Sequence, residues 1–285
     1  MKVKSVKTLV LLGLVCGVVL VACSVKKNQP EAQVTPETTE ESIKKSNVPT
    51  LFFHGYKGTL LTFNGMLQRL SRNEYGERSV TLTVSPTGDI TEDGKWTSEG
   101  NPMIQVIFED NTNQEWQQAE WIQRVLEYLS ETYQTKQVNL LGHSMGGVSI
   151  MRYLANFGID GSDVTIRKVV TIGSPFNDFN EDDRELAEIA KTGPQVPAPR
   201  FVEYDDNFSK FPQGVPYLNI AGDIDGDNGS DGTVPVASVA ALNYLFEKYQ
   251  LPYEFVKVDG KTAQHSALHE NRKVDKLVAE FLWKD

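Results

Sequence analysis

Residues 142–146 read Gly-His-Ser-Met-Gly, so a serine stands between two glycines that each lie two residues away. The apolar run 138–141 precedes this pentapeptide, and the helical pattern 147–157 follows it. A serine on a sharp strand-to-helix turn projects its hydroxyl out of a sheet, and glycines avoid side-chain clashes with the crowded backbone. The pattern predicts Ser144 as a nucleophile and the Met145 amide, at a helix N-terminus, as an oxyanion donor. The alternative is a serine that only caps the helix.

A serine nucleophile of this kind is followed in the chain by an acid and then by a histidine. The segment 223–231, which follows the apolar run 215–222, supplies the candidate acids. Its four aspartates are Asp223, Asp225, Asp227 and Asp231. Alternating aspartates are also typical of calcium loops, but Asn228 stands where such a loop needs glycine and no glutamate closes it. Calcium binding is the second interpretation of this segment.

Two histidines follow the candidate acids. The chain has four histidines, and His54 and His143 precede the aspartates, which leaves His265 and His269. Apolar residues at helical spacing predict a helix that begins near Glu270. His265 lies in the loop ahead of this helix, whereas His269 lies at its start, where a polar side chain can form a cap. We therefore predict His265 as the base and His269 as a supporting group.

Elements that can position these residues follow from the hydrophobic pattern. Short runs that are apolar on both faces are typical of buried parallel strands. They alternate with helical patterns over 112–132 and 234–249, where apolar residues recur on one face. The alternation predicts an α/β fold with a mostly parallel central sheet flanked by helices. The predicted strands are the runs 48–55, 79–85, 103–110, 137–144, 166–174, 215–222 and 253–258.

Two stretches interrupt the alternation. Residues 86–102 are rich in glycine, aspartate and threonine and are interpreted as a loop or hairpin. Residues 176–212 contain acidic helical turns and several prolines between two predicted strands. They lie near the edge where the carboxyl ends of parallel strands face a ligand. We interpret 176–212 as a small cap insertion over the site, with a solvated surface insertion as the alternative.

Five motifs carry a family resemblance: HG at 54–55, NPMIQVIFEDN at 101–111, GHSMGG at 142–147, SDGTVP at 230–235 and HSALHEN at 265–271. Together they resemble the α/β-hydrolases of unknown function from the surfaces of Gram-positive bacteria and, more remotely, small bacterial lipases. The resemblance covers essentially the whole chain after the first 48 residues. It implies an α/β-hydrolase fold and hydrolysis of carboxylic esters with short or medium acyl chains, without indicating a physiological substrate.

The resemblance also implies individual roles. Asp231 precedes Gly-Thr-Val-Pro, as the acid does in related hydrolases, and is favoured among the four aspartates. In lipase-like hydrolases a His-Gly pair after the first strand begins the loop of the second oxyanion donor. The Tyr56 amide is then that donor, and His54 is structural. Ser144 and His265 complete the set of groups expected to cleave a small-molecule ester.

Two-step acyl transfer by such a triad needs no metal or organic cofactor. Acyltransferases, thioesterases and peptidases use the same groups, so the triad alone does not choose among these reactions. The alternative from another class is a surface-binding lipoprotein on a hydrolase scaffold. The sequence does not indicate an oligomeric state.

The N-terminus predicts export. Three lysines precede an apolar run over 8–22, which is shorter than a membrane-spanning helix and typical of a signal peptide over 1–22. The sequence Leu-Val-Ala-Cys resembles the bacterial lipobox and implies that Cys23 is acylated and becomes the first mature residue. An uncleaved membrane anchor is the alternative. Residues 23–48 lack aromatic side chains and are predicted to be a flexible tether to a domain over 49–285.

Composition agrees with a lipid-anchored protein on the extracellular face of the cell membrane. The two cysteines are Cys16 and Cys23, so the predicted mature domain has neither a thiol nor a disulfide. The chain has 28 basic and 38 acidic residues, and loss of three signal-peptide lysines leaves 25 against 38. Such a surface repels nucleic acid and anionic lipid headgroups. We therefore expect no nucleic-acid partner and membrane attachment through lipid.

Overall fold

The computed structural model describes residues 43–158 and 162–284. The predicted signal peptide (1–22), the predicted lipidation site Cys23 and most of the predicted tether (23–48) lie outside the described residues. Within the described ranges, the helices are all too short or too polar to cross a membrane.

The described strands are β1 (Thr50–Phe53), β2 (Glu77–Val84), β3 (Ile90–Asp93), β4 (Pro102–Phe108), β5 (Gln137–His143), β6 (Thr165–Ile172), β7 (Phe176–Phe179), β8 (Tyr217–Asp223) and β9 (Tyr253–Asp259). All of them except β7 form one sheet, in the order β3-β2-β4-β1-β5-β6-β8-β9. Neighbouring strands are parallel except β2 and β3, which form an antiparallel hairpin at one edge. The mostly parallel sheet predicted from the sequence is confirmed, and each of the seven predicted runs overlaps a strand.

Helices cover both faces of the sheet. They are α1 (Leu60–Arg72), α2 (Glu115–Tyr133), α3 (Met145–Asn156), α4 (Leu186–Thr192), α5 (Pro199–Asn207), α6 (Val236–Tyr249) and α7 (Arg272–Trp283). Successive side chains of a strand point to opposite faces, and β1 shows the consequence. Leu51 and Phe53 enter the larger apolar cluster with α2, α3, α5 and α6, whereas Phe52 enters the cluster formed with α1 and α7.

The sequence analysis did not predict α1. Its intrinsic helix propensity is weak, because Thr62, Phe63 and Gly65 all disfavour a helix interior. Two other features stabilise it. Thr59 and Thr62 form a capping box at its start, and the helix buries one apolar face against the sheet. The buried residues are Phe63, Met66, Leu67 and Leu70. Tertiary packing therefore outweighs local propensity here.

The last helix begins later than predicted. A 3₁₀-helix occupies His265–Glu270, and α7 starts at Arg272. Its N-cap is Asn271, whose side chain accepts a hydrogen bond from the Lys273 amide. The capping function considered for His269 thus belongs to Asn271, because the 3₁₀-helix ends the loop two residues further along the chain.

The segment predicted as a cap (176–212) contains β7, α4 and α5. Helix α4 packs against α6, and α5 packs against α3. The buried Tyr204 hydroxyl donates to the Val148 carbonyl oxygen at 3.3 Å, which attaches α5 to α3. Arg200 extends the attachment through ion pairs with Asp178 and Glu115. The segment is thereby joined to the helix that directly follows Ser144; its function as a cap stays a prediction.

The residues just before position 49 contact the rest of the fold. Ile43 packs against the apolar cluster on the α1 and α7 face. The buried Asn101 side chain donates to the Lys44 carbonyl oxygen at 2.9 Å and accepts from the Ser46 amide at 2.8 Å. A buried amide thus takes the backbone of 43–48 as its hydrogen-bond partner, and the tether-to-domain boundary at 48/49 stays a prediction.

Candidate active site

Ser144 lies in a strained turn between β5 and α3. Its φ of 55° and ψ of −124° fall in a region that non-glycine residues rarely adopt, which costs about 1–3 kcal/mol. The turn leaves no room for side chains around it. A Cβ on Gly142 would lie 2.5 Å from the Gly146 carbonyl carbon, and a Cβ on Gly146 would lie 2.2 Å from the Phe53 carbonyl oxygen. The Gly-x-Ser-x-Gly spacing is therefore a steric requirement of this turn.

The three side chains predicted as a triad form one hydrogen-bonded chain. His265 Nε2 lies 2.9 Å from Ser144 Oγ, and His265 Nδ1 lies 2.7 Å from Asp231 Oδ2. Because a carboxylate oxygen can only accept, Nδ1 carries the proton, and the Nε2 lone pair faces the serine hydroxyl. His265 and Asp231 are buried, whereas Ser144 is partly exposed. This is the geometry that a general base needs to take the proton of an attacking hydroxyl.

Backbone amides hold Asp231 in place. Its Oδ1 accepts from the Thr233 and Val234 amides at 2.9 and 2.7 Å, which leaves Oδ2 for the imidazole. The His265 amide donates to the Asp231 carbonyl oxygen at 2.8 Å, so the two residues are joined by backbone as well as by side chains. The carboxylate is fully buried and fully hydrogen-bonded, which restricts the orientation of the imidazole.

Asp223 has a different surrounding. It is paired with Lys257 at 2.7 Å and accepts from the Gly226 and Asn228 amides, so it organises its own loop. Burial alone would raise the pKa of Asp223, but Lys257 and the two amides outweigh burial and lower it. Asp227 accepts from the Gly229 amide. Across 43–158 and 162–284, groups of three or more His, Cys, Asp or Glu side chains with metal-binding geometry are absent.

The loop after β1 approaches the serine closely. A Cβ on Gly55 would lie 2.8 Å from Ser144 Cβ and 3.3 Å from Ser144 Oγ. This contact places the backbone of Gly55, the residue before Tyr56, against the serine side chain. In the described part of the chain, the backbone amides of Tyr56 and Met145 have no protein acceptor. Both are therefore free to donate to an oxyanion at Ser144.

His54 fastens this loop to β4. The Phe108 amide donates to His54 Nε2 at 3.0 Å, so Nδ1 carries the proton and donates to the Gly55 carbonyl oxygen at 2.8 Å. The ring is fully buried, and burial lowers its pKa. A neutral imidazole with both nitrogens engaged explains why a histidine stands before Gly55. These two contacts support the structural role expected for His54.

Residues 37–285 match the family model described as alpha/beta hydrolase of unknown function (DUF915). The chain belongs to this family. The solved structure of the lin2722 gene product from Listeria innocua is 28% identical, with a TM-score of 0.77 over 83% of this chain and 94% of that chain. The "putative cell surface hydrolase" of Lactobacillus plantarum WCFS1 is 23% identical, with a TM-score of 0.66 over 82% of this chain and 89% of that chain. No curated protein matches.

Two further histidines surround the imidazole of the hydrolase. His143 Nε2 donates to the His265 carbonyl oxygen at 3.0 Å, and its ring lies 4.7 Å from the His265 ring and 4.9 Å from the His269 ring. Burial, followed by the neighbouring histidines, lowers the pKa of His143 well below its usual value. His269 packs against His143 and Phe63, and burial lowers its pKa as well. Both imidazoles therefore stay neutral beside His265.

Arg69 holds the other end of the 3₁₀-helix that carries His265. Its guanidinium donates to the His269 carbonyl oxygen at 2.8 Å and pairs with Glu270 and Asp275. Burial raises the pKa of the Asp275 carboxyl, and Arg69 opposes this shift. Through these contacts α1 supports the 3₁₀-helix that carries His265.

The sequence analysis missed the supporting functions of His143, Arg69 and Gly55. The pattern Gly-x-Ser-x-Gly leaves its second position open, so nothing in the motif marks His143. Arg69 and Gly55 act through residues far away in sequence, at 200 and 89 positions respectively. The one sequence signal that points to Arg69 is a helical pattern over 60–72 whose last turn is cationic.

Proposed function

We propose that the chain is a serine hydrolase that cleaves carboxylic esters, with short or medium acyl chains as the expected substrates. The observation that supports this most is the hydrogen-bonded sequence Asp231–His265–Ser144, with distances of 2.7 and 2.9 Å, ending at a hydroxyl on a strained, partly exposed turn. A serine that merely caps a helix needs neither the strain nor the imidazole; moreover, the Ser144 side chain forms no capping hydrogen bond.

In the first step, His265 Nε2 takes the proton of Ser144 as Oγ bonds to the ester carbonyl carbon. The carbonyl oxygen becomes an oxyanion, which the amides of Tyr56 and Met145 stabilise; each donor lowers the barrier by about 3–4 kcal/mol. Asp231 stabilises the imidazolium that forms. The bond to the alkoxy group then breaks, the imidazolium gives its proton to the leaving alcohol, and the acyl group remains on Ser144.

The second step repeats this chemistry with water. His265 takes a proton from a water molecule, whose oxygen bonds to the acyl carbon and forms a second oxyanion in the same place. The bond to Ser144 Oγ then breaks, and the imidazolium returns its proton to the serine. The products are a carboxylic acid and the free enzyme, without a metal or an organic cofactor.

A fluorophosphonate probe tests the nucleophile, because it reacts covalently with an activated serine and requires no knowledge of the substrate. Wild-type protein should be labelled at one site, and Ser144→Ala should abolish labelling while its circular dichroism stays unchanged. Ser266→Ala is the matched control, since Ser266 is an exposed serine next to His265, and it should be labelled like the wild type. Equal labelling of Ser144→Ala would refute the proposal.

We also propose that Cys23 carries the lipid that holds the hydrolase on the outer face of the cell membrane. The support is the lipobox-like sequence that ends at Cys23 after a signal-peptide pattern, together with the description of the Lactobacillus plantarum structure as a cell-surface hydrolase. Cys23→Ser should block incorporation of radiolabelled palmitate and leave an uncleaved precursor. Incorporation that is equal in the wild type and the variant would contradict the anchor.

A further inference from the structure

Among residues 43–158 and 162–284, the exposed large apolar side chains are concentrated at one end of the sheet. Three of them, Tyr56, Leu60 and Leu61, follow the carboxyl end of β1, and Trp116 follows that of β4. The other three, Phe179, Val196 and Val202, lie in the segment after β6. Parallel strands have their carboxyl ends at the same edge of the sheet, and Ser144 follows the carboxyl end of β5 there. We call these seven side chains the apolar collar.

Contacts connect the collar to the surroundings of Ser144. Tyr56 directly follows Gly55, whose backbone touches the serine. Trp116 lies two residues before Gln118, whose side chain reaches Met145 Sδ at 3.5 Å. Arg200 links the segment after β6 to the carboxyl end of that strand, because its side chain donates to the Pro175 carbonyl oxygen at 3.0 Å.

The collar protrudes. Its seven side chains are 44–75% exposed, whereas the walls of a pocket for one acyl chain would be mostly buried. With roughly 100 Å² exposed per aromatic ring and roughly 80 Å² per aliphatic side chain, the collar presents about 600 Å² of apolar surface. A methylene covers roughly 30 Å², so a butyryl group covers about 100 Å² of it. One short acyl chain therefore leaves most of the collar in water.

We propose that the collar docks the hydrolase onto the surface of an assembled, uncharged lipid ester, such as an emulsion droplet or a neutral micelle. Separate protruding side chains can all insert into such a surface at once, as the apolar side chains of interfacial proteins do. The formal charge of −10 disfavours an anionic surface, which leaves a neutral one. This inference rests on the proposed esterase function and adds to it the physical state of the substrate.

Tributyrin tests the inference, because the same ester can be offered dissolved or, above its solubility limit, as an emulsion. The rate of the wild type should rise by about tenfold when droplets form, beyond the plateau reached with dissolved ester. The double variant Leu61→Ser, Phe179→Ser should lose most of this rise, while its rate on dissolved ester changes far less. The matched control Leu61→Phe, Phe179→Leu keeps the apolar surface and should retain the rise.

Adsorption of the protein to the droplets, measured by centrifugation, gives a second readout. Hydrolysis without a rise at the solubility limit, and with equal adsorption of both double variants, would overturn the collar and leave the esterase proposal intact. Adsorption that depends on the collar but occurs without hydrolysis would refute the esterase proposal alone. The inference would also be overturned if neither the wild type nor the Leu61→Ser, Phe179→Ser variant adsorbed, and the wild type formed a dimer that this double variant does not form. The collar would then be the contact surface for a second copy of the chain.

Discussion

The two sides of Ser144 are built by different means. On the side of the proposed oxyanion donors, the backbone of Gly55 lies against the serine turn and that of Gly146 against the end of β1, so closely that a single methyl group does not fit. On the side of the base, side chains meet through hydrogen bonds: Asp231 and His143 hold His265. The first arrangement depends on shape and the second on charge and protonation. Substitutions on the two sides should therefore fail in different ways.

The largest effect is expected on the side of the base. Asp231→Asn should reduce kcat by about 10⁴, the loss that the corresponding change causes in a serine-protease triad, because the imidazole is held in the wrong tautomer. Asp223→Asn is the control. Its carboxylate pairs with Lys257 and should affect turnover by less than about tenfold. Steady-state kinetics with a p-nitrophenyl ester measures both. Equal losses of kcat in the two variants would contradict the assignment of Asp231 as the acid of the triad.

On the oxyanion side, Gly55→Ala should reduce kcat by about 10²–10³, the cost of one lost oxyanion donor. The added Cβ would lie 2.8 Å from Ser144 Cβ, so the loop must move away from the serine. Gly214→Ala makes the same chemical change where nothing lies within 4 Å and should only lower stability slightly through its positive φ. Normal kcat in Gly55→Ala would show that the Tyr56 amide is not a donor.

His143 gives a smaller effect that separates positioning from packing. His143→Phe removes the donor to the His265 carbonyl oxygen and should lower kcat by about tenfold, the equivalent of one buried hydrogen bond. KM should change little. His143→Gln, whose amide can donate from a similar position, should recover most of the loss. If Phe and Gln behave alike while both variants stay folded, the ring contributes packing only.

The smallest effect concerns stability and pH. Burial lowers the pKa of His54, His143 and His269, so the folded protein keeps them neutral, while the unfolded chain takes up protons there below about pH 6.5. These residues leave the free energy of unfolding unchanged above that pH and reduce it as the pH falls further. His143→Gln should remove up to about 1.4 kcal/mol per pH unit from the slope. Urea unfolding at about pH 7.5 and 5.5 measures it; an unchanged slope would contradict a neutral, buried His143.

Much of the fold was predictable because its strands are locally distinctive. A buried parallel strand must be apolar on both faces, and β5, the second half of β6 and β8 carry that requirement in their own sequence. Helix α1 escaped prediction because a capping box and one apolar face outweigh its glycine and its β-branched threonine. The 3₁₀-helix at His265–Glu270 has no periodicity that distinguishes it from the start of α7.

The sequence by itself determined the order of the candidate residues along the chain: a serine in a glycine-flanked turn, then aspartates, then two histidines. It also indicated the protein family through the motifs around them. Those features are local, since they depend on residue type and short spacing. Only the tertiary structure decided which side chains meet. It turns Asp231 to His265 and Asp223 to Lys257, and it places Gly55 against Ser144. Contacts between residues far apart in sequence depend on how the strands pair and the loops close, which no local pattern records.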